Sequence, residues 1–186
     1  MASEPQPQVA AVLNWRRELQ SQSGASRAAR ARLRRASSVI EALMLEETLD
    51  LIKAARQAGA RGSGDFEQRL VVLAMTLARV EGESGAPLAR VLGQTSNDDR
   101  PRLSPARFGG LLRAARARNW DAFARALRRA MAILGDTRFD VARLVRDVLD
   151  LDDATLRRWA YDYWQTSAPA DPESSQPAAS ELEIAP

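Results

Sequence analysis

The sequence predicts an all-α protein of 186 residues: two packed helical bundles, no sheet and a disordered C-terminal tail. Three observations carry that prediction. Apolar residues recur at steps of three and four along most of the chain, the spacing of one face of a helix. No stretch shows sustained period-two alternation, so no strand is expected. Residues that cap helices (Ser, Asp, Asn) stand where the apolar stripes begin. The bundles are expected over residues 9–96 and 102–167, separated by the polar stretch Thr95 to Pro101. The tail is expected over 168–186, where Pro, Ser, Ala and acids take over.

Residues Met1 to Gln8 are polar and expected to fray. Val9 to Gln20 forms a first helix with Val12, Trp15 and Leu19 on one side, and Gln22-Ser23-Gly24 breaks it. Ser26 can cap a second helix, RAARARLRRA, whose apolar strip is only Ala29, Leu33 and Ala36. So thin a strip needs tertiary contacts to hold it. Arg27, Arg30 and Arg34 lie roughly opposite. Ser38-Val39-Ile40-Glu41 has the form of a capping box. It opens one helix carrying Leu43, Leu45, Leu49 and Ile52 and ending near Gly59. After a turn at Gly62-Ser63-Gly64, Asp65 can cap a helix with Phe66, Leu70, Leu73, Leu77 and Val80 inward. This is the most apolar stripe, so it is expected at the centre of the N-terminal bundle. Glu81 to Ala86 is a loop, and Pro87 starts the short helix PLARVLGQ.

Leu103 to Arg129 reads as two consecutive amphipathic helices. Ser104 is a good N-cap, and Pro105 follows at the first helical position, where a missing N–H costs nothing. Phe108, Leu111, Leu112 and Ala115 share one face; Gly109-Gly110 inside this helix suits close helix packing. Asn119 caps the second helix, lined by Trp120, Phe123, Leu127, Met131 and Leu134 and ended by Gly135. Arg113 and Arg116 point away from the first apolar face, and Arg125, Arg128 and Arg129 from the second. From Arg102 to Arg129 there are eight arginines and one acid, Asp121. Asp140 caps a helix with Val141, Leu144, Val145, Val148 and Leu149 inward, and Leu156, Trp159, Ala160 and Tyr163 line the last one.

The inventory excludes several chemistries. Cysteine and histidine are absent, which removes disulfides, thiol nucleophiles, the usual general base and the commonest metal ligand. No cofactor, metal site or catalytic residue is expected. The carboxylate pairs Glu46-Glu47, Asp98-Asp99 and Asp152-Asp153 are adjacent in sequence and do not face each other on a helix; the aspartates read as caps. No apolar run is long enough to span a membrane and no signal pattern stands at the N-terminus, so a soluble cytoplasmic protein is expected. Trp15, Phe108, Trp120, Phe123, Trp159 and Tyr163 lie on apolar stripes and read as core; Tyr161 and Trp164 lie off them.

The arginines stand above this background. All basic side chains but Lys53 are arginine, and they gather in two blocks with few acids at helical spacing, although the formal charge is only +3. Guanidinium groups suit bidentate phosphate contacts. A GC-rich genome also favours arginine codons, so composition alone leaves both readings open.

Read in order, the segments NWRRELQ, RAARARLRRA, PLARVLGQ, RPRLSPARFGGLLRA, WDAFARALRRAMAIL and FDVARLVRDVLDLDDATLRRWAYDYW resemble the CasB family. That family is the small subunit of the type I-E CRISPR surveillance complex, Cascade. The resemblance runs along most of Leu13 to Trp164. A tryptophan frequent in the family near the end of the Val141 helix is replaced here by Asp150-Leu151. The resemblance implies a non-catalytic subunit with the CasC backbone, other Cascade subunits and a second copy of itself as partners. It implies support of guide RNA–target pairing and a hold on the displaced, non-target DNA strand. Matching positions imply Arg34, Arg35, Arg102, Arg107, Arg128 and Arg129 as nucleic-acid contacts, with Arg157 and Arg158 as further ones; Arg27, Arg30 and Arg113 join them from the polar helix faces. Two other readings are a helix-turn-helix DNA-binding regulator, built from the Ser104–Arg129 helices, and a helical protein–protein adaptor.

Overall fold

A computed structural model describes residues 6–60, 64–83, 85–95 and 100–165. The expected tail, the Gly62-Ser63 turn and Asp98-Asp99 lie outside these residues. Among them run ten helices: α1 (Pro7–Leu19), α2 (Gly24–Arg35), α3 (Val39–Leu43), α4 (Glu46–Gln57), α5 (Gly64–Leu77), α6 (Leu88–Gly93), α7 (Pro105–Arg116), α8 (Trp120–Leu134), α9 (Val141–Leu149) and α10 (Asp153–Trp164). No strand forms among the described residues. The only β-type pairings there are isolated bridges, Glu83 with Phe139 and Thr95 with Pro101.

The most apolar helix is central. Along α5 every residue from Leu70 to Leu77 is buried, and the helix packs against α2, α3, α4, α8 and α9. α1 packs on α2, α4 and α9, α6 on α10, and α7 on α8 and α10. On either side of residues 96–99, the Arg102 N–H donates to the Gln94 carbonyl at 3.0 Å and the Leu103 N–H to that of Leu92 at 3.1 Å. All six aromatics on apolar stripes are buried, and Phe108 stacks on Tyr163 with ring centroids 4.0 Å apart. Trp164 is exposed and Tyr161 half-buried.

Several local expectations are corrected. α1 starts at Pro7, so Pro7 and Gln8 are helical and do not fray. α2 starts before Ser26: Ser23 is the cap, accepting from the Ser26 N–H at 3.0 Å, while the Ser26 hydroxyl bonds the Glu18 carbonyl. Ser104 stands at the start of α7 without a capping hydrogen bond, so Pro105 alone marks that end. Asp65 lies inside the first turn of α5 and serves Arg118 and the Trp120 indole instead. The helix expected from Ser38 to Gly59 is two. Ser38 does cap α3, accepting from the Glu41 N–H, but the Glu41 carboxylate turns to the Ser37 N–H and hydroxyl, and the chain is extended at Leu45. That break resets the register. The inward face of α4 becomes Thr48, Leu51, Ile52 and Ala55, and Leu49 turns outward.

Glycines also divide differently. A Cβ on Gly109 or Gly110 would meet only the side chain of Arg113, so no helix packs tightly there. The tight crossing is at Gly93, where a Cβ would sit 1.9 Å from the Tyr163 carbonyl oxygen. α6 and α10 meet backbone to backbone at that point.

Candidate nucleic-acid interface

The C-terminal end of α2 is where the two arginine blocks meet. A helix end leaves carbonyls without intrahelical partners and carries partial negative charge. Two guanidiniums from elsewhere in the chain satisfy it. Arg79, just past α5, donates to the Arg34 carbonyl, and Arg128 on α8 donates to the Ala36 carbonyl. Arg34 itself reaches back, its Nε donating to the Ala78 carbonyl at 2.7 Å and its Nη2 lying 3.4 Å from Glu81. Burial holds the Arg79 guanidinium below the ordinary arginine range, and Arg128 and Arg34 push it the same way. Three guanidiniums thus share one small region with Glu81 as the paired acid. Arg69 does the same work at the end of α9, donating to the Leu149 and Leu151 carbonyls while lying over the Trp120 ring.

The remaining sequence-predicted residues stand in different relations to this junction. Arg35 and Arg129 flank it, exposed and without an ion-pair partner among the described residues. Arg27 and Arg30 continue outward along α2, also unpaired, Arg30 half-buried. Arg102 is exposed and donates to the Thr137 hydroxyl at 3.3 Å; Thr137, not Arg102, lines a cavity of about 200 Å³ that Arg79 also lines. Arg107, Arg113 and Arg157 are exposed and unpaired, but no contact ties them to it. Arg158 is already engaged: it donates to the buried Asp147 carboxylate at 2.6 Å, whose other oxygen takes the Trp159 indole N–H at 2.6 Å.

Acids poor at helical spacing prove less scarce in space. Arg32 is forked onto Glu47 at 3.0 and 3.1 Å, Arg118 meets Asp65 at 2.7 Å, and Arg116 meets Asp153 at 3.5 Å. The lone acid of the second block, Asp121, neutralises none of its arginines. It caps α3, accepting from the Val39 N–H at 2.7 Å. Sequence reading passed over Arg79. Its one signal is a charge standing at the end of the most buried stripe in the chain.

Base reading by α8 finds little support in this geometry. A recognition helix presents its first turns to a groove, and here Trp120 and Phe123 are buried. The turn before it places Arg118 at φ +52°, a strained choice for a side chain, held by the pair with Asp65. Among the described residues no group of three or more possible ligands could hold a metal ion, and no helix is long and apolar enough to cross a membrane.

Fold and surface together define a class: an all-α scaffold whose specialised groups are arginines on helix faces. The chain belongs to the CRISPR-associated Cse2 family, whose model matches residues 29–164. It is similar to CasB from Thermus thermophilus, with 26% identity and a TM-score of 0.63, over 85% of this chain and 98% of that one. It is similar, with a TM-score of 0.60 and the same identity and coverage, to a second structure from Thermus thermophilus, of a CRISPR-associated protein of the Cse2 family. No curated protein matches it significantly. Membership of this family makes it a small subunit of the type I-E Cascade complex and not an enzyme.

Proposed function

We propose that this subunit stabilises the R-loop by gripping strand backbones without reading their sequence. The carrying observation is the junction at the end of α2, where arginines from both blocks converge and Arg35 and Arg129 remain free to take phosphates. Exchange of a DNA duplex for an RNA–DNA hybrid is nearly balanced in free energy, so backbone contacts can tip it. Guanidinium–phosphate contacts carry no sequence information, which suits a subunit that serves any guide.

In this reading the guide RNA, the target strand and the displaced strand are the nucleic-acid partners. The CasC backbone and a second copy of the chain are the protein partners, within a cytoplasmic complex. The bundles over 9–96 and 102–167 act as one body, because α5 packs on α8 and α9. Arg27, Arg30, Arg102, Arg107, Arg113 and Arg157 extend the grip. Arg34, Arg128 and Arg158 position it through their own carbonyl and carboxylate contacts.

The test is Arg35→Ala with Arg129→Ala in the assembled complex, measuring target-DNA affinity across a salt series. Each lost single-strand phosphate contact is expected to flatten the log–log salt slope by about 0.7. An unchanged slope and affinity would defeat the proposal.

A further inference from the structure

Beyond the junction, a cleft of about 590 Å³ opens beside α1, lined by Arg16, Arg17, Gln20, Glu83 and Arg138. It adjoins the cavity of about 200 Å³ that Arg79 lines: Glu81, Gly82 and Arg138 border both. Gly82 makes this continuity. A Cβ there would fall 2.7 Å from Cγ of Arg138, so the missing side chain lets Arg138 lie across the boundary between the two spaces.

The charges in this groove do not balance. Glu83 pairs with Arg16 and Glu81 with Arg34. Arg17 reaches only the Asn14 side-chain oxygen, and Arg79 only a main-chain carbonyl. Arg138 has no hydrogen-bond or ion-pair partner among the described residues. Arg16 is 3% exposed, and its buried Nε has no partner. Asp136 lines the smaller cavity but forms no ion pair with any of them. Arg17 and Arg138 are exposed guanidiniums without a carboxylate partner, standing beside the buried Arg16, so the groove presents positive charge that an anion can meet. The larger cleft has no aromatic lining, so it offers nothing for a base to stack on. Its chemistry suits a phosphate backbone better than a nucleobase.

We infer that this groove is a second phosphate seat, taking the backbone of the same strand that the α2–α8 junction grips and leading it past Arg79 and Arg138 to Arg17. The inference rests on the proposed function and adds residues to it. Arg16 and Arg17 precede the residues that match the family model. Arg16 is the fixed floor of the groove; Arg17 and Arg138 make the exchangeable contacts. Glu81 and Glu83 are the resident counter-ions that an incoming strand displaces.

The experiment compares three forms of the subunit in the assembled complex: the unmodified chain, Arg17→Ala with Arg138→Ala, and Arg35→Ala with Arg129→Ala. Target-DNA affinity is measured across a salt series. The groove pair is expected to lower affinity about tenfold and to flatten the slope by about 1.4, two single-strand contacts at about 0.7 each. Glu81→Gln is expected to raise affinity, a gain that a damaged fold does not produce. If the junction pair flattens the slope and the groove pair leaves it unchanged, the groove inference is overturned and the proposed function stands. If neither pair changes it, both are overturned. If the groove pair prevents incorporation of a chain that still unfolds cooperatively, the groove takes an acidic protein surface, and the inference is overturned. If the unmodified chain binds inorganic phosphate there while the target slope ignores the groove pair, the seat serves a free anion and the strand path is overturned.

Discussion

Gly93→Ala is expected to be among the most damaging single changes in the chain, although it adds one methyl group. The new Cβ would stand 1.9 Å from the Tyr163 carbonyl oxygen and 3.0 Å from its Cα. Ordinary contact begins near 3.4 Å, so α6 and α10 must separate by 3.4 − 1.9 = 1.5 Å. Both obstacles are backbone, so no side chain can swing away. Separation draws Tyr163 from its stack on Phe108 and from the hydrogen bond its hydroxyl donates to the Leu103 carbonyl at 2.5 Å. Overpacking costs about 1–3 kcal/mol, and the ring pair and hydrogen bond about 1 kcal/mol each. The sum is about 3–5 kcal/mol, or a fall in Tm of about 6–20 °C for a chain of this size. Thermal unfolding followed by circular dichroism measures it. A Tm within about 2 °C of the unmodified chain would refute the backbone contact and with it this account of how α6 docks.

Three further outcomes follow from the geometry. Asp147→Ala strips partners from the Trp159 indole N–H and from Arg158, and is expected to cost about 2–4 kcal/mol in denaturant unfolding, with Asp147→Asn costing less because one acceptor survives. Asp121→Ala removes the acceptor for the Val39 N–H, so about 1 kcal/mol of stability should go while the salt slope for target binding does not flatten, since Asp121 pairs with no arginine. The Thr155 N–H holds the Asp152 carboxyl below the usual aspartate range, and the Ser37 N–H and hydroxyl hold Glu41 below the usual glutamate range. Depressed carboxyls stabilise the fold above their ordinary range and lose that contribution as pH falls through it, so Asp152→Asn with Glu41→Gln should flatten the acid limb of a Tm-against-pH curve.

What the sequence determined is what depends on neighbours three and four residues away. Helix class, the central place of the Leu70–Leu77 stripe, the caps at Asn119 and Asp140, and the burial of Trp120, Phe123 and Trp159 all follow from local spacing. The two arginine blocks were legible for the same reason. Tertiary structure decided which arginines stay free, because a guanidinium finds its partner through space. Arg128 is drawn to a carbonyl 92 residues away and Arg34 to one 44 residues away, while Arg35 and Arg129 beside them remain open. It also decided the break at Leu45, the acceptance of the Val39 N–H at the start of α3 by Asp121 from 82 residues away, and the meeting of Gly93 with Tyr163. Spacing along a helix sets which way a side chain faces; only the packed chain sets what waits for it there.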